Sequence, residues 1–360
     1  MLVGASDAST YACGGQSRHG GGGPRAYGQS KLANLLFTYE LQRPVRPPVR
    51  ACHACCMSAE SVEVFERHRA RLLGLAYRML GSAAEAEDVV QDAFLRWQNT
   101  KPGSVEVPSA WLAKVATNLC LNRLDSARSR RERYVGAWLP EPVLTPDSAL
   151  GPLETVEQRD TVSFAFLVLA ERLTPSERAV FVLREAFGYS HREVAELVEL
   201  SESNCRQLHR RARKRLAEAE LSRSPADLPE LRALVERFLV AARNGDLAGL
   251  ERMLAEDVSS VADGGGLPGV ARRPMRGMEV ARYLAATLRR SVAGVAAFIQ
   301  EVNGVPAVVG WSGTTLVGVL IPEIAGERIT AVRIVANPDK LGFLADQAVR
   351  LSRSPEVSGS

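Results

Sequence analysis

Residues 202–216 combine cations with amide side chains in a pattern that suits contact with DNA. Cys205, Leu208, Ala212 and Leu216 recur at spacings of three and four, so they line the buried side of one helix. The opposite face then carries Asn, Gln and Arg side chains, which can bond base edges in a major groove, and further Arg side chains that suit phosphates. The candidate DNA contacts on this face are Ser203, Asn204, Arg206, Gln207, Arg210 and Arg211.

A preceding helix must position this one. Ser190 and Glu193 have the spacing of a capping box, and an apolar helix face follows them. Leu200 and Ser201 would form the tight turn of a helix-turn-helix. The alternative is a helical hairpin with a charged exterior. No acid interrupts the cations of residues 206–215, which favours DNA binding.

Three amphipathic helices are predicted between residues 61 and 133, separated at Gly81 and at Pro102-Gly103. The second helix carries acids and an amide on its outer face at Asp88, Gln91 and Asp92. The third carries an aromatic ring, a cation and two amides at Trp111, Lys114, Asn118 and Asn122. Such a mixture can hold a DNA backbone and stack on unpaired bases. The alternative makes Trp111 a core anchor.

After residue 227 the pattern changes from helical to mixed. Helices are predicted near residues 228–243, 246–254 and 277–290. Strands are predicted at residues 295–302, 305–311, 314–321 and 327–335. A glycine-rich turn occupies Gly264 to Gly266, and Asn303-Gly304 predicts a tight hairpin, because both central positions of a type I′ turn need positive φ. An α+β domain with a curled sheet is therefore expected.

Composition restricts the class of protein. The 360 residues are 46% hydrophobic and 24% charged, with a net charge of +4, as in a globular protein. No apolar run reaches the roughly 18 residues that cross a bilayer, and no signal segment is evident, so a cytoplasmic protein with no membrane contact is expected. Cysteines are too few for a disulfide scaffold. Those between Cys52 and Cys56 lack a second ligand pair, so neither a metal site nor a cofactor is predicted.

Residues 1–56 differ from the rest of the chain. The stretch AYGQSKLANLLFTYELQR resembles the active-site helix of short-chain dehydrogenases, with Tyr27 and Lys31 in that family's spacing. No glycine-rich strand-turn-helix precedes it to hold a dinucleotide, and Gly14 and Gly15 stand where the catalytic serine is expected. The segment is predicted to be a remnant of that family or disordered, without activity.

Residues 61–216 resemble the extracytoplasmic-function (ECF) group of RNA polymerase sigma factors. FERHRARLLGLAYRMLGSAAEAEDVVQDAFLRW looks like region two, and SAWLAKVATNLCLNRLDSARSR looks like the segment that captures and opens the −10 element. LTPSERAVFVLREAFGYSHREVAELVELSESNCRQLHRRARKRL resembles region four, which reads the −35 element. The resemblance implies that polymerase core is bound by Asp88, Gln91 and Asp92. The residues that it places near promoter DNA are Trp111, Lys114, Asn118, Asn122, Asp125 and Arg128.

The C-terminal region resembles the SnoaL-like cone, a fold used by polyketide cyclases, and its fusion to a sigma factor is a recognised subgroup. The matching stretches are YVGAWLPEP (134–142), DLPEL (227–231) and NPDKL (337–341). Leu267 follows the glycines where the usual motif ends in Lys. The resemblance implies that this domain modulates sigma activity in place of a separate anti-sigma partner. The implied regulatory residues are Asp227, Leu228, Pro229, Asp263, Asn337, Pro338, Asp339 and Lys340.

Together these patterns predict a multidomain fold with two all-α regions followed by an α+β SnoaL-like cone. The expected divisions are region two at 57–133, a linker at 134–160, region four at 161–220, the cone domain at 227–345 and a tail at 346–360. The predicted function is that of an alternative sigma factor, not an enzyme, which binds RNA polymerase core and promoter DNA.

Three alternatives stay open. The first is a DNA-binding regulator that acts without polymerase. The second is an isomerase, cyclase or hydrolase that uses Asp263 as a buried base in a pocket of the cone. The third is a sigma factor whose C-terminal domain binds a small ligand that controls sigma activity.

Overall fold

The structure, a computed structural model, describes residues 59–101, 103–131, 134–145, 161–217, 228–291 and 294–353. The dehydrogenase-like segment, Cys52 to Cys56, linker residues 146–160, Asp227, tail residues 354–360 and the side chain of Arg128 lie outside this description. Within these ranges, no helix has the length and apolar character that crossing a bilayer requires. The same ranges contain no group of three or more His, Cys, Asp or Glu side chains that could hold a metal ion.

Three helices form the first part of the fold: α1 (Ala59–Leu80), α2 (Ala83–Gln98) and α3 (Pro108–Arg131). Gly81, at a φ of 67°, separates α1 from α2. The Ser82 hydroxyl begins α2 by accepting the Glu85 amide at 3.1 Å. The same hydroxyl donates to the Glu141 carboxylate at 2.7 Å, so the start of α2 is tied to the segment 134–145.

The second part contains, within the range 161–217, the helices α4 (Phe164–Ala170), α5 (Pro175–Glu185), α6 (His191–Val198) and α7 (Glu202–Ala217). Thr174 with Glu177 and Ser190 with Glu193 form the capping boxes that the sequence predicts. Glu199 adopts a left-handed φ of 57° between α6 and α7. The predicted helix-turn-helix is thereby confirmed.

The two helical parts share one hydrophobic core. Leu72 of α1 and Leu112 of α3 belong to the same buried cluster as Phe166, Val194 and Cys205 of the second part. The predicted linker at residues 134–160 separates the two helical parts along the chain, but in space the helices on either side of it pack together.

The last part begins with α8 (Leu228–Asn244) and α9 (Leu247–Met253) and contains a sheet. Its strands are β1 (Leu254–Asp263), β2 (Met275–Arg276), β3 (Ala296–Val302), β4 (Val305–Ser312), β5 (Thr315–Ala325) and β6 (Arg328–Val335). They lie in the order β2-β1-β6-β5-β4-β3, with β1 and β6 parallel and the other neighbours antiparallel. Asn303 (φ 51°) and Gly304 (φ 79°) form the predicted hairpin turn.

Both faces of the sheet are covered. α8 and α10 (Met278–Ser291) pack on one face, where Phe238 and Leu284 meet Leu320 of β5. α11 (Pro338–Arg353) packs on the other face together with Leu139 and Leu144 from the predicted linker. The predicted α+β domain is confirmed, and its described residues, within 228–353, are called the cone below. Residues 134–145 form part of its core.

Two elements correct the sequence interpretation. β1 was not predicted, because Glu256 and Asp257 interrupt the apolar alternation that identifies a strand. α11 was seen only as a motif, and it continues to Arg353, so the predicted domain end at 345 falls inside a helix. The reason is that Ala348 and Leu351 extend its apolar stripe onto the sheet.

Candidate functional site

An acidic face on α2 carries the three side chains predicted to bind polymerase core. Asp88, Gln91 and Asp92 lie about one turn apart, and the two carboxyl side chains keep 47% and 44% of their surface exposed. Arg123 of α3 bridges the acids, with Nη1 3.3 Å from Asp88 Oδ2 and Nη2 2.8 Å from Asp92 Oδ2. The face is therefore accessible, and its negative charge is partly offset by a cation that the sequence interpretation missed.

The face of α3 predicted to contact DNA is partly exposed. Trp111 packs on Trp97, with ring centroids 5.6 Å apart, and both rings border the buried core. Asn118 is half-buried, whereas Asn122 and Asp125 are exposed. One side of the Trp111 ring therefore packs on the core, as the core-anchor alternative expects, while the rest of the ring lies at the surface.

The outer face of α7 presents the side chains expected to read a major groove. Asn204 is half-buried, and the other five are exposed: Ser203, Arg206, Gln207, Arg210 and Arg211. α5 holds the helix from behind, because His209 Nε2 lies 2.7 Å from Glu185 Oε1 and Arg215 pairs with Glu177. The sequence placed all six on one face, and the structure agrees.

An ion pair joins the two candidate DNA surfaces. Lys114 Nζ on α3 lies 3.0 Å from Glu199 Oε1, in the turn that leads into α7. Both side chains are well exposed, so the pair itself contributes only about 0–1 kcal/mol. The pair shows that the start of α7 lies beside the face of α3 that carries Trp111.

A buried polar group, the Asp263 cluster, connects the cone to residues 134–139. It comprises Tyr134, Leu139, Asp263, Asn337 and Lys340. Asp263 Oδ2 accepts hydrogen bonds from Lys340 Nζ at 2.7 Å and from the Leu139 amide at 2.9 Å. Asp263 Oδ1 accepts from Tyr134 Oη at 2.5 Å, and Asn337 Nδ2 donates to that hydroxyl at 2.8 Å.

Burial makes the Asp263 cluster sensitive to loss of a member. Asp263 is 1% exposed, and Lys340, at 7%, also lies 4.2 Å from the centre of the Trp138 ring. Burial, together with the neighbouring Asp263 carboxylate, raises the pKa of Tyr134. The phenol therefore stays protonated and remains a donor.

Two of the glycines after Asp263 allow close packing. A Cβ on Gly264 would lie 2.7 Å from Val270, and one on Gly265 would lie 2.6 Å from the Asn337 side chain. Gly265 also has a positive φ of 59° and donates its amide to Asp263 Oδ1 at 3.2 Å. The glycines thus bring the loop against the Asp263 cluster and fold it onto itself.

Among the other implied regulatory residues, Leu228, Pro229, Pro338 and Asp339 are exposed. The Asp339 amide donates to Asn337 Oδ1 at 3.0 Å, which begins α11. The structure therefore brings together three of the eight predicted residues, Asp263, Asn337 and Lys340. The side chains of the other described members lie outside the Asp263 cluster.

A second buried group, the Asn303 cluster, comprises Tyr77, Glu141, Val143, Val162 and Asn303. Asn303 Nδ2 donates to Tyr77 Oη and to the Val162 carbonyl, both at 2.8 Å, and its Oδ1 accepts from the Val143 amide at 3.1 Å. Tyr77 Oη in turn donates to the Glu141 carbonyl at 2.7 Å. One side chain at the tip of the β3–β4 hairpin thus contacts both helical parts and the segment between them.

Sequence reasoning missed the role of several members of these clusters. It interpreted Asn303 only as a turn residue, and it did not single out Tyr77 within the first predicted helix. Tyr134 and Leu139 lay in the stretch YVGAWLPEP, which the resemblance had already singled out. The sequence therefore indicated that this stretch matters, but it did not indicate that Asp263 is its hydrogen-bond partner.

Comparison with known proteins identifies the chain. Residues 64–130 match the family Sigma-70 region 2, and residues 163–216 match Sigma-70, region 4. A helical part with an acidic face and a second part with a helix-turn-helix therefore define a sigma-type initiation factor. The ECF RNA polymerase sigma factor SigJ of Mycobacterium tuberculosis is 37% identical over 78% of this chain and 92% of its own length. The chain belongs to the ECF sigma factors.

Further relatives agree with this assignment. The probable ECF RNA polymerase sigma factor SigI of Mycobacterium tuberculosis is 34% identical over 76% of this chain and 92% of its own. The crystal structure of Mycobacterium tuberculosis SigJ superposes with a TM-score of 0.63 at 34% identity, covering 78% of this chain and 98% of that one. The predicted family and the predicted function, an alternative sigma factor in transcription initiation, are confirmed. The alternative of a regulator that acts without polymerase is not supported.

Proposed function

We propose that Asp88, Gln91 and Asp92 contact polymerase core and that the outer faces of α3 and α7 contact the promoter. The exposure of the acidic face and of the α7 cations supports this division of roles. Carboxylates suit a basic partner surface, whereas the arginines of α7 suit DNA phosphates and guanine edges.

The cone domain restrains the sigma regions in this proposal. The −10 and −35 elements lie about 25 base pairs apart, roughly 85 Å at about 3.4 Å per base pair. In the structure, Glu199 beside α7 is 3.0 Å from Lys114 on α3, so the two DNA-reading helices are adjacent. They must separate before both elements can be bound. The Asn303 cluster carries this proposal, because it fixes both helical parts to the cone.

The Asp263 cluster contributes the second attachment. It holds residues 134–139, the beginning of the chain that connects α3 to α4, against the cone. A sigma factor whose connecting segment is bound in this way has less freedom to separate its helical parts. The cone thus takes the role that a separate inhibitory partner would have.

The cone acts here as a regulator rather than as an enzyme. A catalytic role would use Asp263 as the base. Its two oxygens already accept four hydrogen bonds, from Tyr134, Leu139, Gly265 and Lys340. An apolar cavity lies between the sheet and α10 of this domain, and the described residues that line it do not include Asp263. Both observations argue against proton transfer at this carboxylate, and a ligand in the cavity is the better-supported alternative.

Run-off transcription with purified core polymerase tests the restraint. Asn303→Gly keeps a residue that tolerates positive φ and removes the amide that joins the helical parts to the cone. We expect about threefold to tenfold more transcript at limiting sigma concentration, because net hydrogen bonds of about 1 kcal/mol each are lost from the restrained state.

The control variant is Asn244→Ala, which changes an exposed amide of the same domain. It should transcribe like the unchanged protein. Equal or lower transcript from Asn303→Gly, with core binding intact in a pull-down, would contradict a restraining role for the cone.

A further inference from the structure

The cone contains an apolar cavity of about 170 Å³, partly open to solvent, between the sheet and α10, with the end of α8 at its edge. The lining comes from α10 and from strands β4, β5 and β6, and includes Tyr283, Leu284, Leu288, Val308, Leu320 and Ile334. An apolar cavity of about 150 Å³ in another protein stays dry and takes up benzene. The cavity of the cone is therefore large enough for one ring or a branched alkyl group, and too small for a steroid-sized molecule.

Paired glycines form part of the cavity wall. Gly310 of β4 lies directly opposite Gly318 of β5, and both line the cavity. Neither has a positive φ, so the backbone does not require glycine. A Cβ at Gly318 would meet its nearest neighbour, the Val335 carbonyl oxygen, at an ordinary 3.5 Å. Glycine inside a strand costs stability, and one known reason to find it there is the close approach of a ligand.

One cation lies at the edge of this cavity. Arg243, at the end of α8, is the only charged side chain among the described residues that line it. Its guanidinium is exposed, and Nη2 donates to the Ala297 carbonyl at 3.3 Å, which positions it over β3. A guanidinium beside an apolar cavity matches a carboxylate attached to an apolar group.

We propose that this cavity binds a small monocarboxylic acid with one aromatic or branched aliphatic group. The apolar group fills the space over Gly310 and Gly318, and the carboxylate pairs with Arg243. The site is distinct from the Asp263 cluster and requires no bond to form or break.

The cavity also touches the segments that carry the Asp263 cluster. Val270 lines the cavity and packs on Gly264, next to Asp263. Ala336 lines it as well and precedes Asn337. A ligand in the cavity would therefore contact the segments that carry Asp263 and Asn337. An effect of the ligand on transcription rests on the proposed function, whereas binding of the ligand does not.

Ligand titration of the full chain, followed by saturation-transfer NMR, tests the site. The probes are phenylacetate, 2-phenylethanol and phenethylamine, which share one ring and differ in charge. We expect phenylacetate to bind about tenfold more tightly than the amine, the alcohol lying between them, because only the acid gains a charge-assisted pair. With Arg243→Gln, this preference should fall below about threefold.

Two cavity variants separate a specific site from surface binding. Gly318→Val fills the space with a residue favoured in strands, and Gly310→Ala fills less of it. We expect binding of phenylacetate to fall about tenfold or more in the first and less in the second, while Thr315→Val, exposed on β5, leaves it unchanged. Absence of binding, equal affinity for acid and amine, or binding unaffected by both folded glycine variants would each overturn the proposal. None of these results would alter the outcome of the transcription assay with Asn303→Gly.

Discussion

The side-chain amide of Asn303 donates a 2.8 Å hydrogen bond to the hydroxyl of Tyr77, although 226 positions separate the two residues in sequence. Asn303 belongs to the cone and Tyr77 to α1. Both are fully buried, so the bond lies in a part of the structure where an unpaired polar group is costly. A change in the cone that moves Asn303 must therefore change the contacts of α1 as well.

This relationship predicts energetic coupling between the two side chains. We expect Asn303→Gly and Tyr77→Phe each to lower the free energy of unfolding by about 1–3 kcal/mol, since each leaves buried partners unpaired. In the double variant the two losses should deviate from additivity by about 0.5–3 kcal/mol. Urea unfolding of the four proteins measures this coupling. Asn303→Gly combined with Asn244→Ala is the control, and additive losses in both pairs would contradict the coupling.

The buried pair of Lys340 with Asp263 and the exposed pair of Lys114 with Glu199 predict losses of very different size for the same Lys→Met substitution. Lys340→Met leaves the buried Asp263 without its cation, and we expect a loss of about 3–5 kcal/mol of unfolding free energy. Lys114→Met breaks the exposed pair with Glu199 and should cost less than about 1 kcal/mol. Chemical denaturation of both variants measures the two losses of unfolding free energy. Similar losses in the two variants would show that Asp263 is better solvated than its 1% exposure indicates.

Elements defined by a few neighbouring residues were predictable from sequence. The capping boxes at Thr174 and Ser190 and the turn at Asn303-Gly304 each depend on local geometry, and all three were confirmed. The helix-turn-helix followed from apolar spacing within two helices. Local preference and tertiary packing agree at these places, so the sequence alone was sufficient.

Elements that depend on distant partners were not predictable in the same way. Tyr134 and Asp263 are 129 positions apart, and nothing in the local sequence of either one indicates the other. The resemblance singled out the motifs of the Asp263 cluster but not their contacts. β1 was not predicted because its exposed acids, Glu256 and Asp257, and its buried polar residues, Ser260 and Asp263, both interrupt the alternation of apolar and polar residues.

The helix-turn-helix should lose stability in mild acid. Burial, together with nearby cations, lowers the pKa of His191 below its ordinary value of 6.5. The unfolded chain then takes up a proton at a higher pH than the folded one, so stability present above pH 6.5 is lost as the pH falls below it. The groups that influence this ring are Arg184, His209, Arg206 and Glu202.

His191→Gln tests this pH dependence. Urea unfolding at pH 7.5 and 5.5 should show a smaller loss of stability in the variant than in the unchanged protein, because glutamine does not titrate. The imidazole Nε2 is buried and has no hydrogen-bond partner within the described structure, so the substitution removes no hydrogen bond of that atom. An equal loss in both proteins would place the sensitivity elsewhere, for example at His68, whose pKa burial also lowers.

Binding to polymerase core should depend on the acidic face of α2. We expect Asp88→Asn combined with Asp92→Asn to weaken binding about tenfold or more, because charge-assisted contacts worth about 1.5–3 kcal/mol are lost. Arg123→Gln should have the opposite effect at low salt, since it removes the cation that lies 2.8 Å from Asp92 and leaves the face more negative. Fluorescence anisotropy of labelled protein titrated with core enzyme measures both changes. Glu106→Gln, an exposed acid outside this face, is the matched control, and equal weakening in the control would mean that net charge rather than this face governs binding.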